Sequence, residues 1–186
     1  MTLAKLSRNP GKRVIGIDAS THSIAYCVFE GYKPVEWGEI KFNGADVYER
    51  ILDAKKKMKA LKERFNADFI TIEAAVMVRS AQTGLKMAYI FGAIMGELLE
   101  NGATVLEVHP ITWQSYIGNK NFTKVEKDKV KRDNPDRSDN WIKAHIREMR
   151  KQKTIDFMKE IGVDVKSDNV ADAAGIAWYA AQNLVR

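Results

Sequence analysis

A chain of 186 residues, 45% hydrophobic and 29% charged, has the size and composition of an ordinary globular domain, which sets aside a disordered or fibrous protein. Its net charge is +6, and residues 118–153 alone hold 12 bases against 6 acids, so the surplus lies in one segment beside a neutral body and points to a polyanionic partner. A single cysteine, Cys27, excludes an intramolecular disulfide and a cysteine zinc site, and no apolar leader or membrane-length run is present, so a cytoplasmic protein without a membrane role is expected.

Residues 13–20 (RVIGIDAS), 24–30 (IAYCVFE) and 35–42 (VEWGEIKF) are β-rich runs with short connections, one holding Gly31 and Pro34, and predict a three-stranded meander. Residues 46–65 place Val47, Ile51, Ala54, Met58, Leu61 and Phe65 at helical spacing with lysines opposite, which predicts the first helix. The run 69–72 (FITI) reads as a strand buried on both faces and ends on Glu73. A second helix over 81–100 closes at Asn101-Gly102, and a fifth strand over 104–108 ends at His109-Pro110. Past a short helix to about Ile117, the basic segment 118–145 reads as an insertion or loop around Asn134-Pro135-Asp136, mobile without DNA. Helices over about 141–161 and 169–184 complete the chain. The order β-β-β-α-β-α-β-α predicts one α/β domain over 1–186, with a mixed five-stranded sheet flanked by helices.

Three acids stand where this pattern calls for burial. Asp18 ends Val14-Ile15-Gly16-Ile17, Glu73 ends the fourth strand, and Asp172 opens the apolar last helix. A lone buried carboxylate costs several kcal/mol unless paired or bound to metal. Each one alone has an ordinary reading as a cap or ion-pair partner; three together weaken it. If the first and fourth strands are parallel neighbours, Asp18 and Glu73 emerge at carboxyl ends of strands, where open α/β sheets place their sites. A third acid from a docked helix would complete an all-oxygen cluster suited to Mg²⁺ or Mn²⁺, and two such ions about 4 Å apart can clamp a phosphodiester for in-line attack by water. His22, His109 and His145 are too far apart in sequence to suggest a competing metal set.

The runs Val14-Ile15-Gly16-Ile17-Asp18, Ile70-Thr71-Ile72-Glu73 and Asn169-Val170-Ala171-Asp172-Ala173 resemble the three acidic motifs of RuvC-family Holliday junction resolvases, of the RNase H-like superfamily. Arg79-Ser80-Ala81-Gln82-Thr83-Gly84-Leu85-Lys86 with Phe91-Gly92-Ala93 is similar to the family's helix after the acidic strand, and Val108-His109-Pro110-Ile111-Thr112-Trp113 to its next strand and Pro-started helix. The likeness covers about residues 14–181, apart from 122–145. Asp18 is followed by Ala19-Ser20-Thr21 where many members have Pro-Gly, which is closer to a phage or viral branch.

The resemblance implies an RNase H-like fold and a homodimer that nicks four-way and other branched DNA symmetrically, with Asp18, Glu73 and Asp172 as metal ligands. It implies an assisting lysine, for which Lys153 is the candidate, with Lys151 and Arg150 equally near. The family's fourth ligand, three residues before the last acid, falls on Asn169; Asp168 brings the charge and is favoured as the fourth ligand, although an N-cap is an ordinary use for it. Val76 or Met77 is expected as an apolar wedge at the junction, where ordinary core is the alternative. Ser20, Thr21, Arg79, Ser80 and Gln82, with Lys127, Lys129, Lys131 and Arg132, are the candidate DNA contacts. Two rivals stand beside this reading. Gly16-Ile17-Asp18-Ala19-Ser20-Thr21 also resembles the first phosphate loop of actin-like ATPases and sugar kinases, but the chain lacks the length for their second domain; a non-catalytic DNA-binding module would leave the three acids unexplained.

Overall fold

The computed structural model describes residues 11–74, 80–100 and 102–185. Strands β1 (Arg13–Ala19), β2 (Ser23–Glu30), β3 (Lys33–Lys41), β4 (Phe69–Glu73) and β5 (Thr104–Val108) form one sheet in the order β3-β2-β1-β4-β5. The first three strands are an antiparallel meander, and β1, β4 and β5 run parallel, so the sheet is mixed as expected. Helices α1 (Val47–Phe65) and α2 (Ala81–Leu99) cover one face. The other carries α3 (Pro110–Tyr116), α5 (Asp139–Glu160) and α6 (Asp168–Asn183), with α4 (Lys124–Asp133) packed on α5.

Strand alternation sorts the side chains between two cores. Ile15, Ile17, Ile70 and Ile72 pack with Met58, Leu61, Ile90 and Ile94 under α1 and α2. Val14 and its neighbours Cys27 and Phe29 pack with Ala173, Ala174, Ala177 and Ala181 of α6. Burial pushes the Cys27 thiol up, in keeping with a packed, unreactive side chain. The small residues of α6 let the helix lie directly on β1. A Cβ at Gly16 would stand 2.5 Å from the Ala177 backbone nitrogen and would also meet the Ala173 carbonyl, so only glycine fits there. On its other side α6 leans on Trp113, which is fully buried and would lie 2.5 Å from a Cβ at Gly175.

The segment expected as a basic loop is helical. Thr123 and Glu126 form a reciprocal capping box that starts α4, the Ser138 hydroxyl caps α5, and Phe122, Val130 and Ile142 make a small separate core. No helix among the described residues is long and apolar enough to cross a membrane.

Candidate active site

Pairing along the sheet fixes where the acids stand. In the parallel β1–β4 pair Ile17 lies opposite Ile72, so Asp18 and Glu73 follow side by side at the carboxyl edge. Both share the face of Val14 and Gly16, the side on which α6 lies. Asp172, in the first turns of α6, is carried to the same place by the close Gly16 contact. The meander brings in a further acid: Asp18 pairs with Ala25 and Ala25 with Glu39, so Glu39 of β3 shares that face across a small residue. Its carboxylate accepts from the Ser23 hydroxyl at 2.7 Å and from Asn169 Nδ2 at 3.4 Å.

The electrostatics follow from this crowding. Asp18 is pushed up to about 7, first by burial and then by the negative charge of Glu73, Asp168 and Glu39. Asp172 is pushed up to about 8 by burial and then by Asp18, Glu73 and Asp168, with Lys151 opposing. Burial also raises Glu73, against a hydrogen bond donated by the Trp113 indole at 2.9 Å and the charge of His109. Asp168 goes the other way, held low chiefly by its hydrogen bond to Lys151 Nζ at 2.8 Å.

Asp18, Asp168 and Asp172 line a groove of about 500 Å³, while Glu73 faces a separate cavity with Asp18 and α2. The groove lining includes Asp18, Asp168, Asn169 and Asp172 at one end, and Lys127, Lys143, Arg147, Arg150 and Lys151 along the wall. Lys143, Arg147 and Lys151 recur every four residues on α5, so one helix face presents a basic stripe that leads to the acids.

Of the expected residues, the structure brings together Asp18, Glu73, Asp168 and Asp172. Lys153 is placed elsewhere, with its ammonium over the Phe122 ring at 4.8 Å; two residues apart on a helix, Lys151 and Lys153 point in different directions, and Lys151 is the one beside Asp168. Ser20 is engaged in its own turn, accepting from the His22 and Ser23 backbone nitrogens, and Thr21 meets the His22 ring at 2.8 Å. Ser80 is the N-cap of α2, and Gln82 is exposed in the first turn. Lys127 lines the groove and Lys131 pairs with Asp139 at 2.8 Å, while Lys129 and Arg132 are exposed. Val76, Met77 and Arg79 lie outside the described residues.

Among the described residues no trio of His, Cys, Asp or Glu closes into a ready-made metal cage. The fit to a divalent cation is one of donor chemistry. The set is all carboxylate, and Asp18 and Asp172 retain protons near neutrality that a hard cation would displace.

A mixed sheet in this order, with acids at the carboxyl edge of its parallel strands and a basic groove leading to them, defines an RNase H-like nuclease domain. The family described as crossover junction endodeoxyribonuclease RuvC matches residues 14–132, and the chain belongs to it. The enzyme is accordingly a crossover junction endonuclease, acting on four-way DNA junctions. Two solved structures of Thermus thermophilus RuvC, one in complex with a Holliday junction substrate, each match with a TM-score of 0.65, at 15% identity for the complex and 16% for the other, covering 94% of this chain and 98% of theirs. The yeast mitochondrial Holliday junction resolvase Ydc2 matches with a TM-score of 0.54 and 16% identity, covering 94% of this chain and 80% of that one. No curated protein matches in sequence. The family match includes Asp18 and Glu73 and stops before α5, so Asp168, Asp172 and the basic stripe enter the site through the fold alone.

Proposed function

We propose that the protein resolves four-way junctions by metal-dependent hydrolysis, with Asp18, Glu73 and Asp172 as the cation ligands and Asp168 as the fourth acid of the set. The observation that carries this reading is the meeting of acids from β1, β4 and α6 at one sheet edge, two of them raised to about 7 and about 8 by burial and then by the charge of neighbouring acids. Two Mg²⁺ or Mn²⁺ ions bound there would supply a nucleophilic water at neutral pH and charge stabilisation at the leaving oxygen.

The protein's own residues prepare that chemistry. Asp18 and Asp172 give up their protons as positive charge arrives. Trp113 pins one Glu73 oxygen, and among the described residues the other has no hydrogen-bond partner and can meet a ligand. Asp168 holds Lys151 on the groove wall beside the acids, where its ammonium can meet the charge of a bound phosphate. We further propose a homodimer through α2, whose Leu85, Tyr89 and Leu99 are 52%, 42% and 58% exposed; a two-fold pair of sites matches the symmetry of a junction.

Nicking and gel-shift assays on one preparation test the assignment. Asp18→Asn and Glu73→Gln should abolish nicking of a synthetic four-way junction in Mg²⁺ and keep affinity for it within a few-fold. Near wild-type cleavage by either variant would overturn it, and wild-type protein that binds junctions without cutting them would favour a non-catalytic DNA-binding module.

A further inference from the structure

Arg150 stands on the groove wall one residue before Lys151, and among the described residues its guanidinium has no carboxylate within ion-pair distance. One terminal nitrogen donates to Gln114 Oε1 at 2.6 Å and to the Asn119 carbonyl at 3.4 Å, both neutral acceptors. Its Nε is buried and, among the described residues, has no hydrogen-bond partner. The residues that hold it are themselves fixed. Asn119, 3% exposed, donates to the Arg150 carbonyl and to the Thr154 hydroxyl, each at 2.9 Å, and its own Oδ1 is buried with no partner among the described residues. Asp168, the acid that shares the groove wall with Lys151, is already ion-paired to it at 2.8 Å.

A guanidinium partly withdrawn from water and solvated only by amides retains an unspent charge, and the partners that suit its planar fork are carboxylate and phosphate. The groove shows which of the two. Lys127, Lys143 and Arg147 line it with Arg150, and it ends at the cluster of Asp18 and Asp172, a run of positive charge that a peptide carboxylate would meet only once and a nucleic-acid strand meets repeatedly. We infer that Arg150 is the anchor for a second, uncleaved phosphate of the substrate strand, next to the one presented to the acids. This rests on the nuclease reading above and adds a subsite to it. Because Gln114 and Asn119 already fix the guanidinium, little side-chain freedom is lost on binding, and the anchored phosphate sets which bond reaches the acids.

The test uses the full chain in metal-free buffer, where no cleavage is needed, and measures junction affinity against salt for wild type, Arg150→Gln and Arg150→Lys. It repeats the measurement on junctions carrying one neutral methylphosphonate at successive positions beside the cut. Arg150→Gln should reduce the slope of log affinity on log salt by about 0.9, and Arg150→Lys should keep the slope. One methylphosphonate position should weaken wild type by about tenfold and have no further effect on Arg150→Gln. A full slope and an unchanged methylphosphonate profile in Arg150→Gln, whatever happens to its melting temperature, would make Arg150 a structural tie and overturn the inference. Wild-type protein that binds the junction in this buffer and leaves it uncut once Mg²⁺ is added would instead remove the nuclease reading itself.

Discussion

Replacing Asp172 by asparagine should make the metal-free protein more stable while destroying its activity. Folding moves this carboxyl from an ordinary value of 3.8 to about 8, so at pH 7 the native side chain is mostly protonated although the unfolded chain would ionise it. The gap from 3.8 to 7 is roughly three pH units, about 4 kcal/mol of folding free energy. Asp172 keeps an open edge to the groove and shares its repulsion with Asp18, which together bring the expected gain nearer about 2 kcal/mol. For a chain of this size that is a rise of about 4–8 °C in melting temperature. The sign with pH is fixed. A raised carboxyl contributes stability that is complete below its unfolded value and is lost as pH rises through its folded one. The advantage of Asp172→Asn should therefore be small near pH 4 and full above pH 8, and it should shrink when Mg²⁺ is added, since the cation relieves the wild-type repulsion. Thermal unfolding at pH 4.5, 7 and 9, with chelator and with Mg²⁺, measures all three effects. A variant no more stable than wild type at pH 9 in chelator, or one with the same gain at pH 4.5, would refute the electrostatic account of the cluster.

Gly16→Ala should cost at least about 2 kcal/mol in denaturant unfolding, because its Cβ meets α6 backbone that cannot move without lifting the helix off β1. Glu39→Gln removes one of the charges that raise Asp18, so the acid limb of the pH–rate profile should move to lower pH; an unmoved limb would mean that Glu39 does not act on Asp18. Asp168→Asn should cut the nicking rate strongly and raise the Mg²⁺ requirement, with a smaller effect from Asn169→Ala, and a loss of thermal stability alone in Asp168→Asn would leave it only an ion-pair partner of Lys151. Sedimentation at micromolar concentration should show a species of twice the 21.0 kDa chain mass, and a monomer alone would exclude the α2 dimer.

The strands and longer helices were legible because their apolar spacing is regular; β5 at Thr104–Val108 and α2 from Ala81 agree with the sequence reading to a residue. Helix α4 escaped it because Val130 is its one buried residue, which leaves no apolar period to read. The signal that was present is Thr123 followed three residues later by Glu126. The acids Asp18, Glu73 and Asp172 were visible because each breaks an apolar run. Glu39 was not, since it sits in the alternating strand KPVEWGEIK where an acid is unremarkable, and only the register through Ala25 puts it near Asp18. The stripe of Lys143, Arg147 and Lys151 is carried by four-residue spacing alone, a weaker signal than the dense lysines of α4 that precede it.

The close contact between α6 and Gly16 also has a consequence in time. A ribosome delivers β1 and β4, with Asp18 and Glu73, long before it delivers Asp172, so the sheet emerges as an unarmed scaffold. Until α6 settles against that glycine, a partly made chain would have two of the acids and lack the third, and on the proposed assignment it could neither hold the metal ions nor cut the nucleic acid around it. On that assignment the helix that closes the core would also be the arming step of a DNA-cutting enzyme.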